Sequence, residues 1–192
     1  MVDEKRLALQ NELRGRILSE GYTPQIKEFL ARSEGDYLEI GSYYAYFLTA
    51  MAIQFPDKKV YGIDPHISDG YTAGAKGEAI PEVEEVADFN TSLVDNVELI
   101  KLTTKNFLKK KNASKILKNI SCVLVDGSHY YDDIVHDLEL VTRIENDYEK
   151  LVAFDDLQIA DVSKAFDELH IKLTGRIIDS QKNAHTAFIY YK

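Results

Sequence analysis

The sequence holds a single cysteine, Cys122, in 192 residues. One thiol excludes an internal disulfide framework and any cysteine-built metal cage. Long hydrophobic runs are also missing, and nothing approaches the ~20 apolar residues of a membrane span. The opening segment, Met1-Val2-Asp3-Glu4-Lys5-Arg6, lacks the apolar stretch of a secretory signal, so a cytoplasmic location is expected. Basic residues are outnumbered, 23 Lys and Arg against 32 Asp and Glu, for a formal net charge of -9. That balance argues against a nucleic-acid partner, whose phosphates require a basic face. No Pro-rich or Ser-rich linker and no internal repeat divides the chain.

What is present is an ordinary globular mixture, 45% apolar and 29% charged, long enough to bury a core. The expectation is one domain over 1–192, with helices in 1–35 and an α/β core over 36–192. Helical spacing runs through 3–19, and a second helix starts near Pro24 and closes before Gly35. Five short apolar runs then read as strands at 36–41, 59–63, 97–102, 121–125 and 151–154. Helical patterns follow at 43–55, 104–119, 130–147 and 161–171, and two closing strands at 176–179 and 186–191. This alternation predicts a Rossmann-like, doubly wound, mostly parallel seven-stranded sheet with helices on both faces and an antiparallel C-terminal edge strand.

Open sheets of this kind bind ligands beyond the carboxyl ends of their strands. Four of those ends carry acidic residues: Glu39 before Gly41, Asp64, Asp126, and the pair Asp155-Asp156. An Asp at a strand end is also an ordinary helix cap or turn residue. Four on one rim repel one another unless a cation balances them, so the rim expects a metal ion, a sulfonium, or both. The first strand-to-helix turn, Glu39-Ile40-Gly41-Ser42-Tyr43-Tyr44-Ala45, has one glycine where dinucleotide folds use Gly-x-Gly-x-x-Gly. A pyrophosphate cofactor is therefore disfavoured. Asp64 is suited to accept hydrogen bonds from two ribose hydroxyls.

At these residues the chain resembles the class I S-adenosylmethionine-dependent methyltransferases. YLEIGSYYAYFLTAMA is similar to the first motif in its catechol O-methyltransferase form, and VYGIDPH to the second. LVDGSHYYDDIVHDLELV followed by LVAFDDL resembles metal-dependent enzymes that include macrolide-sugar O-methyltransferases. The resemblance implies that Glu39, Gly41 and Ser42, with Tyr43 beside them, hold the methionine part of S-adenosylmethionine. It implies that Asp64 holds the ribose and that Thr103 and Thr104 lie near the adenine, with Asp126 at the border of cofactor and metal. Two positions depart from the pattern: Ala45 stands where many relatives have glycine, and 145–150 lacks a Pro-Gly-Gly turn.

Asp126, Asp155 and Asp156 are the candidate metal ligands. Oxygen-only ligation favours Mg2+ or Mn2+ over zinc. Adjacent strand residues face opposite ways, so Asp155 and Asp156 converge only if the chain turns there. His129, in Asp126-Gly127-Ser128-His129, is the candidate general base, since imidazole, with an ordinary pKa of about 6.5, takes a proton at neutral pH. Gly127 is read as allowing a tight turn that carries His129 back over the rim. His66 and His136 read as a loop and a helix-surface residue, and Lys109-Lys110-Lys111 as an exposed face. The glycine-containing segment 66–80 reads as either a plain connection or a loop closing over the acceptor.

The function these readings imply is transfer of a methyl group from S-adenosylmethionine to a hydroxyl of a vicinal diol, with a divalent metal. The acceptor is a sugar of a glycan or glycosylated natural product, or a catechol. Alternatives are a metal-independent small-molecule methyltransferase and a non-catalytic S-adenosylmethionine-binding module. No membrane partner is expected. The short chain is compatible with a homo-oligomer, a minimal enzyme or a module of a longer polypeptide.

Overall fold

The computed structural model describes residues 21–68, 70 and 76–192. The helix expected over 3–19 and the middle of the 66–80 loop lie outside the described residues. Within them, helix α1 (Thr23–Arg32) precedes strand β1 (Asp36–Ile40), α2 (Tyr46–Gln54), β2 (Val60–Ile63) and α3 (Pro81–Thr91). Then follow β3 (Val97–Ile100), the short helices α4 (Thr104–Phe107) and α5 (Ala113–Leu117), and β4 (Ile120–Val125). Helix α6 (Tyr131–Thr142), β5 (Lys150–Phe154), α7 (Ala160–Lys172), β6 (Ile177–Lys182) and β7 (Ala187–Tyr191) complete the order.

The seven strands form one sheet in the order β3-β2-β1-β4-β5-β7-β6. β1 pairs in parallel with β2 and β4, and β5 continues the parallel run beside β4. β7 pairs antiparallel with both β5 and β6, so the antiparallel strand is inserted inside the sheet and β6 forms the edge. The chain reverses its order at β1, between the branch running to β3 and the branch running through β4. That reversal opens a crevice at the C-terminal ends of β1 and β4.

Both faces of the sheet are covered, which is why its central strands are continuous apolar runs rather than alternating ones. All six residues of β4 are buried. Leu38, Ile40, Val123 and Val125 face α6 and α7, whose stripes of Ile134, Leu138 and Val141 and of Val162, Ala165, Phe166 and Leu169 meet them. Tyr37, Cys122 and Leu124 face the other way, toward Ile26, Phe29 and Leu30 of α1 and Leu48 and Met51 of α2. Burying each such side chain contributes about 1.5–3 kcal/mol. Truncating Leu138, which is fully buried, to Ala costs about 2–5 kcal/mol by the cavity it leaves.

Several element boundaries differ from the sequence reading, the end of α6 at Thr142 rather than 147 and of β6 at Lys182 rather than 179 among them. The single helix expected over 104–119 is two short ones, broken across 108–112, where Lys109, Lys110 and Lys111 crowd like charge into one turn. α2 begins at Tyr46 rather than 43, because Tyr43 and Ala45 take positive φ values of 45° and 55°. α3 was not anticipated. Its apolar positions are few, but Pro81 in the first turn with Glu82 and Glu84 is a helix-start signal. Among the described residues no helix is long and apolar enough to cross a membrane.

Candidate active site

The rim begins where β1 ends. Gly41 has φ +86°, and a Cβ there would lie 2.0 Å from the carbonyl oxygen of Asp126. Only glycine lets the β1 turn pass that close to the β4 turn. Backbone bonds seal the approach: Gly41 N donates to Ile63 O (2.9 Å) and Asp126 N to Ile40 O (2.9 Å). The left-handed turn that follows aims the Tyr43 N–H at Asp64 Oδ2 (2.7 Å), and the His66 N–H reaches Oδ1 (2.7 Å). Asp64 is thus fixed at the end of β2, and each of its oxygens keeps a lone pair for another donor. His66 is a loop residue, as read, but a buried one, and its Nε2 contacts Tyr43 O at 3.2 Å.

Asp126, Asp155 and Asp156 come together past the ends of β4 and β5. Each offers a carboxylate oxygen, and these oxygens lie within 4.8 Å of one another. The convergence has a local cause. Asp155 is still held by its N–H on Val125 O (3.2 Å), whereas Asp156 takes φ +58° and swings its side chain round. Asp tolerates that left-handed conformation better than most residues. Leu157 N donates to His185 O (2.9 Å), so the turn before β7 supports the loop. Three partly exposed carboxylates of this spacing suit a hard divalent cation.

His129 sits beside this set, with Nε2 2.9 Å from Asp156 Oδ2 and its side chain 13% exposed. Asp156 Oδ1 accepts from Gln158 Nε2 (2.5 Å), and Gln158 Oε1 contacts His185 Nδ1 (3.1 Å). Asp156 is therefore gripped from two sides. Gly127 does not play the part expected of it. It is not among the left-handed glycines, and a Cβ there would make only ordinary contacts at 3.5–3.8 Å, so neither the turn nor the packing requires glycine at this position.

These groups border a cavity of about 570 Å3 that runs along the rim from Asp64 to Asp156. Gly41, Tyr43, Asp64, Thr103, Thr104, Asp126 and His129 all line it. Asp155 does not; it borders a small neighbouring pocket shared with Asp126, His129 and Asp156. Glu39 and Ser42 do not line it either. Both are buried behind the rim, where the Tyr37 hydroxyl donates to Glu39 Oε2 (3.0 Å). Burial pushes the Glu39 carboxyl up to about 8, and the charge of Asp64 adds to the rise.

The described part of the 66–80 segment also lines the cavity. Ile67 bridges Ala79, and Lys76 reaches α6, pairing with Asp133 Oδ2 (2.9 Å) and lying 3.8 Å from the Tyr130 ring centroid. Sequence reasoning missed Asp137, which lines the cavity at 4% exposure. Burial first, and then the charge of Asp133, push its carboxyl up to about 7, against a hydrogen bond from Thr104. The signal was present in the sequence: Ile134, Asp137, Leu138 and Val141 follow helical spacing, so Asp137 stands on the apolar stripe of α6.

No family model matches the chain, and no curated protein matches it. Solved structures do. A putative caffeoyl-CoA O-methyltransferase from Staphylococcus aureus superposes with a TM-score of 0.62 at 15% identity, over 88% of this chain and 82% of that one. The O-methyltransferase NovP gives 0.61 at 13% identity, over 95% and 79%. MycE methyltransferase from the mycinamycin biosynthetic pathway, in complex with Mg and SAH, gives 0.58 at 15% identity over 95% of this chain. The match spans 54% of MycE, so this chain corresponds to about half of that protein. At these identities the likeness establishes the fold, a Rossmann-like methyltransferase fold.

Proposed function

We propose that the chain is an S-adenosylmethionine-dependent O-methyltransferase that uses a divalent metal and acts on a hydroxyl of a vicinal diol, a sugar of a glycan or glycosylated natural product before a catechol. The observation that carries this reading is the convergence of Asp126, Asp155 and Asp156 beside His129, at one end of a cavity whose other end holds Asp64. MycE, with Mg and SAH, is one of its structural neighbours and lends support.

The chain's own groups suit the parts of such a reaction. Asp64 has lone pairs for the two ribose hydroxyls of the methyl donor, beyond the backbone N–H groups it already holds. The donor supplies an electrophilic methyl on a sulfonium, whose positive charge the acidic rim favours. Asp126, Asp155 and Asp156 would hold a divalent ion, which would supply Lewis acidity toward adjacent acceptor hydroxyls, the reason for preferring a diol. His129 takes the proton as the acceptor oxygen forms its bond to the methyl and the sulfur keeps the electron pair. His129 Nε2 faces Asp156 Oδ2 in the structure and its Nδ1 is buried, so the ring takes the proton on Nε2 by exchanging that contact for the acceptor hydroxyl. The walls of the cavity hold the two substrates in line, and that proximity supplies much of the rate. A methyl ether, S-adenosylhomocysteine and a proton on His129 result.

The His129–Asp156 contact also suits a metal-independent variant in which the carboxylate serves only to orient the base. Methyl transfer from labelled S-adenosylmethionine to a panel of sugar diols and catechols, with Mn2+ or with a chelator, separates the readings. Turnover on a diol that stops with the chelator is expected. Turnover indifferent to the chelator selects the metal-independent variant, and donor binding without turnover on any acceptor selects a binding module.

A further inference from the structure

Two consecutive segments of the chain carry opposite charge. Residues 77–98 hold seven acidic side chains and no basic one, and residues 99–125 hold seven lysines and no acidic one. The acidic segment leads into β3 and the basic segment leads out of it, and β3 is an edge of the sheet. The two segments cover opposite faces. Ala87 of α3 packs with the α1 and α2 side of the core, whereas Phe107, Ile116 and Leu117 pack with the α6 and α7 side. On α3, Glu82, Glu85 and Phe89 stand at i, i+3 and i+7 on one exposed stripe, and Phe89 is 56% exposed. Around α5, Lys111, Lys115 and Lys118 stand at i, i+4 and i+7 and are exposed too. Lys101 is paired with Glu84 and Asp88 at 2.8 and 2.7 Å. Lys105, Lys109, Lys110, Lys111, Lys115 and Lys118 enter no ion pair among the described residues.

Like charges gathered on one surface repel one another, and a docked surface of opposite sign relieves that repulsion. The chain carries such a surface itself, equal in charge and on the opposite face of the same edge. We infer that this edge is an interface between two copies of the chain, with α3 of each copy lying on the α4–α5 segment of the other. A two-fold axis makes the contact twice, so each copy presents its acidic stripe and receives its partner's. Joining the two sheets through β3 would keep each face beside its own kind, α3 beside α3 and lysine beside lysine. The axis therefore lies in the plane of the sheet, where it exchanges the faces. Phe89 supplies an apolar anchor at the acidic stripe. The carbon stems of the partner's lysines give it a bed, and their ammonium groups a cation–π contact.

Sedimentation equilibrium of the full chain tests this independently of any reaction. Dimers with a micromolar dissociation constant are expected at about 50 mM NaCl, and about 0.5 M NaCl should weaken them by about tenfold or more through screening. The double variant Glu82→Lys with Glu85→Lys and the triple variant Lys111→Glu, Lys115→Glu and Lys118→Glu should each be monomeric at low salt, since like charge then meets like at both contacts. An equimolar mixture of the two should recover dimers. In the mixed pair the two reversed surfaces face each other and the two unreversed surfaces do the same. All five positions are exposed, so both variants should melt close to wild type. A wild-type chain that stays monomeric at about 100 μM and low salt overturns the inference. A dimer indifferent to salt and to both variants overturns it by placing the interface elsewhere. A mixture that fails to recombine, or wild-type assembly that continues beyond the dimer, overturns it as well.

Discussion

The two ends of the parallel strands use their partly buried polar groups in different ways. At the N-terminal end several side-chain nitrogens close on backbone carbonyls. Asn96 Nδ2 donates to the carbonyls of Ala52, Phe55 and Lys58 at 3.0–3.1 Å. Lys58 Nζ donates to Ser33 O and Gly35 O, and the fully buried Lys150 Nζ to Asn146 O and Tyr148 O. Asn146 in turn donates to Ile120 O. At the C-terminal end, carboxylates face a cavity and one another, with Asp126, Asp155 and Asp156 mutually within reach. Donors that cap carbonyls hold a fold together. Acceptors crowded round a void are costly, and that cost is offset when a cationic ligand arrives. The proposed function rests on that difference.

The comparison breaks if variants at the two ends behave alike. His129→Ala should lower turnover by about 10²–10⁴-fold while leaving the melting temperature and the affinity for S-adenosylhomocysteine near wild type. Wild-type rates in that variant would remove His129 from the reaction. Asn96→Ala should do the opposite. Uncapping three carbonyls costs about 1–3 kcal/mol, or roughly 3–8 °C in thermal melts, with ligand affinity unchanged. A weakened ligand affinity in a folded Asn96 variant would dissolve the distinction between the ends.

A third prediction concerns the boundary between them. Glu39 is buried and its carboxyl is raised to about 8. Between its ordinary value of 4.5 and about 8 the unfolded chain has lost this proton and the folded chain keeps it. The folded state binds more protons there, so stability declines as pH rises through this window. Glu39→Gln should remove that part of the slope and melt higher than wild type at pH 8 by about 5 °C relative to the difference at pH 5. A slope from Asp137, raised to about 7, should remain. The smallest effect belongs to the exposed rim. Lys76 and Asp133 are each about half exposed, so Lys76→Ala should shift stability by under about 1 kcal/mol in denaturant titrations.

Much of this could be read from the residues. Strand positions were legible because β1, β4 and β5 are buried on both faces and form short apolar runs ending in acidic residues. The convergence of Asp126, Asp155 and Asp156 was legible because the chain turns at Asp156 as it leaves the strand. What escaped was set by tertiary context. Glu39 and Ser42 stand in the motif turn, yet neither borders the cavity. Glu39 belongs to the face of β1 shared with Tyr37, and strand alternation directs it toward α2. The insertion of β7 between β5 and β6 depends on which strand β7 chooses, and hydropathy does not encode that choice. Asp137 was overlooked because α6 was read for its apolar stripe, and the polar residue interrupting the stripe was not weighed.

The most direct test of the central claim is calorimetric titration of the purified chain with S-adenosylhomocysteine and then Mn2+, repeated on Asp126→Ala. The account predicts micromolar nucleoside binding and a metal signal that the Asp126 variant abolishes. Absence of nucleoside binding by the wild-type chain, or an unaltered metal signal in the Asp126 variant, would contradict it.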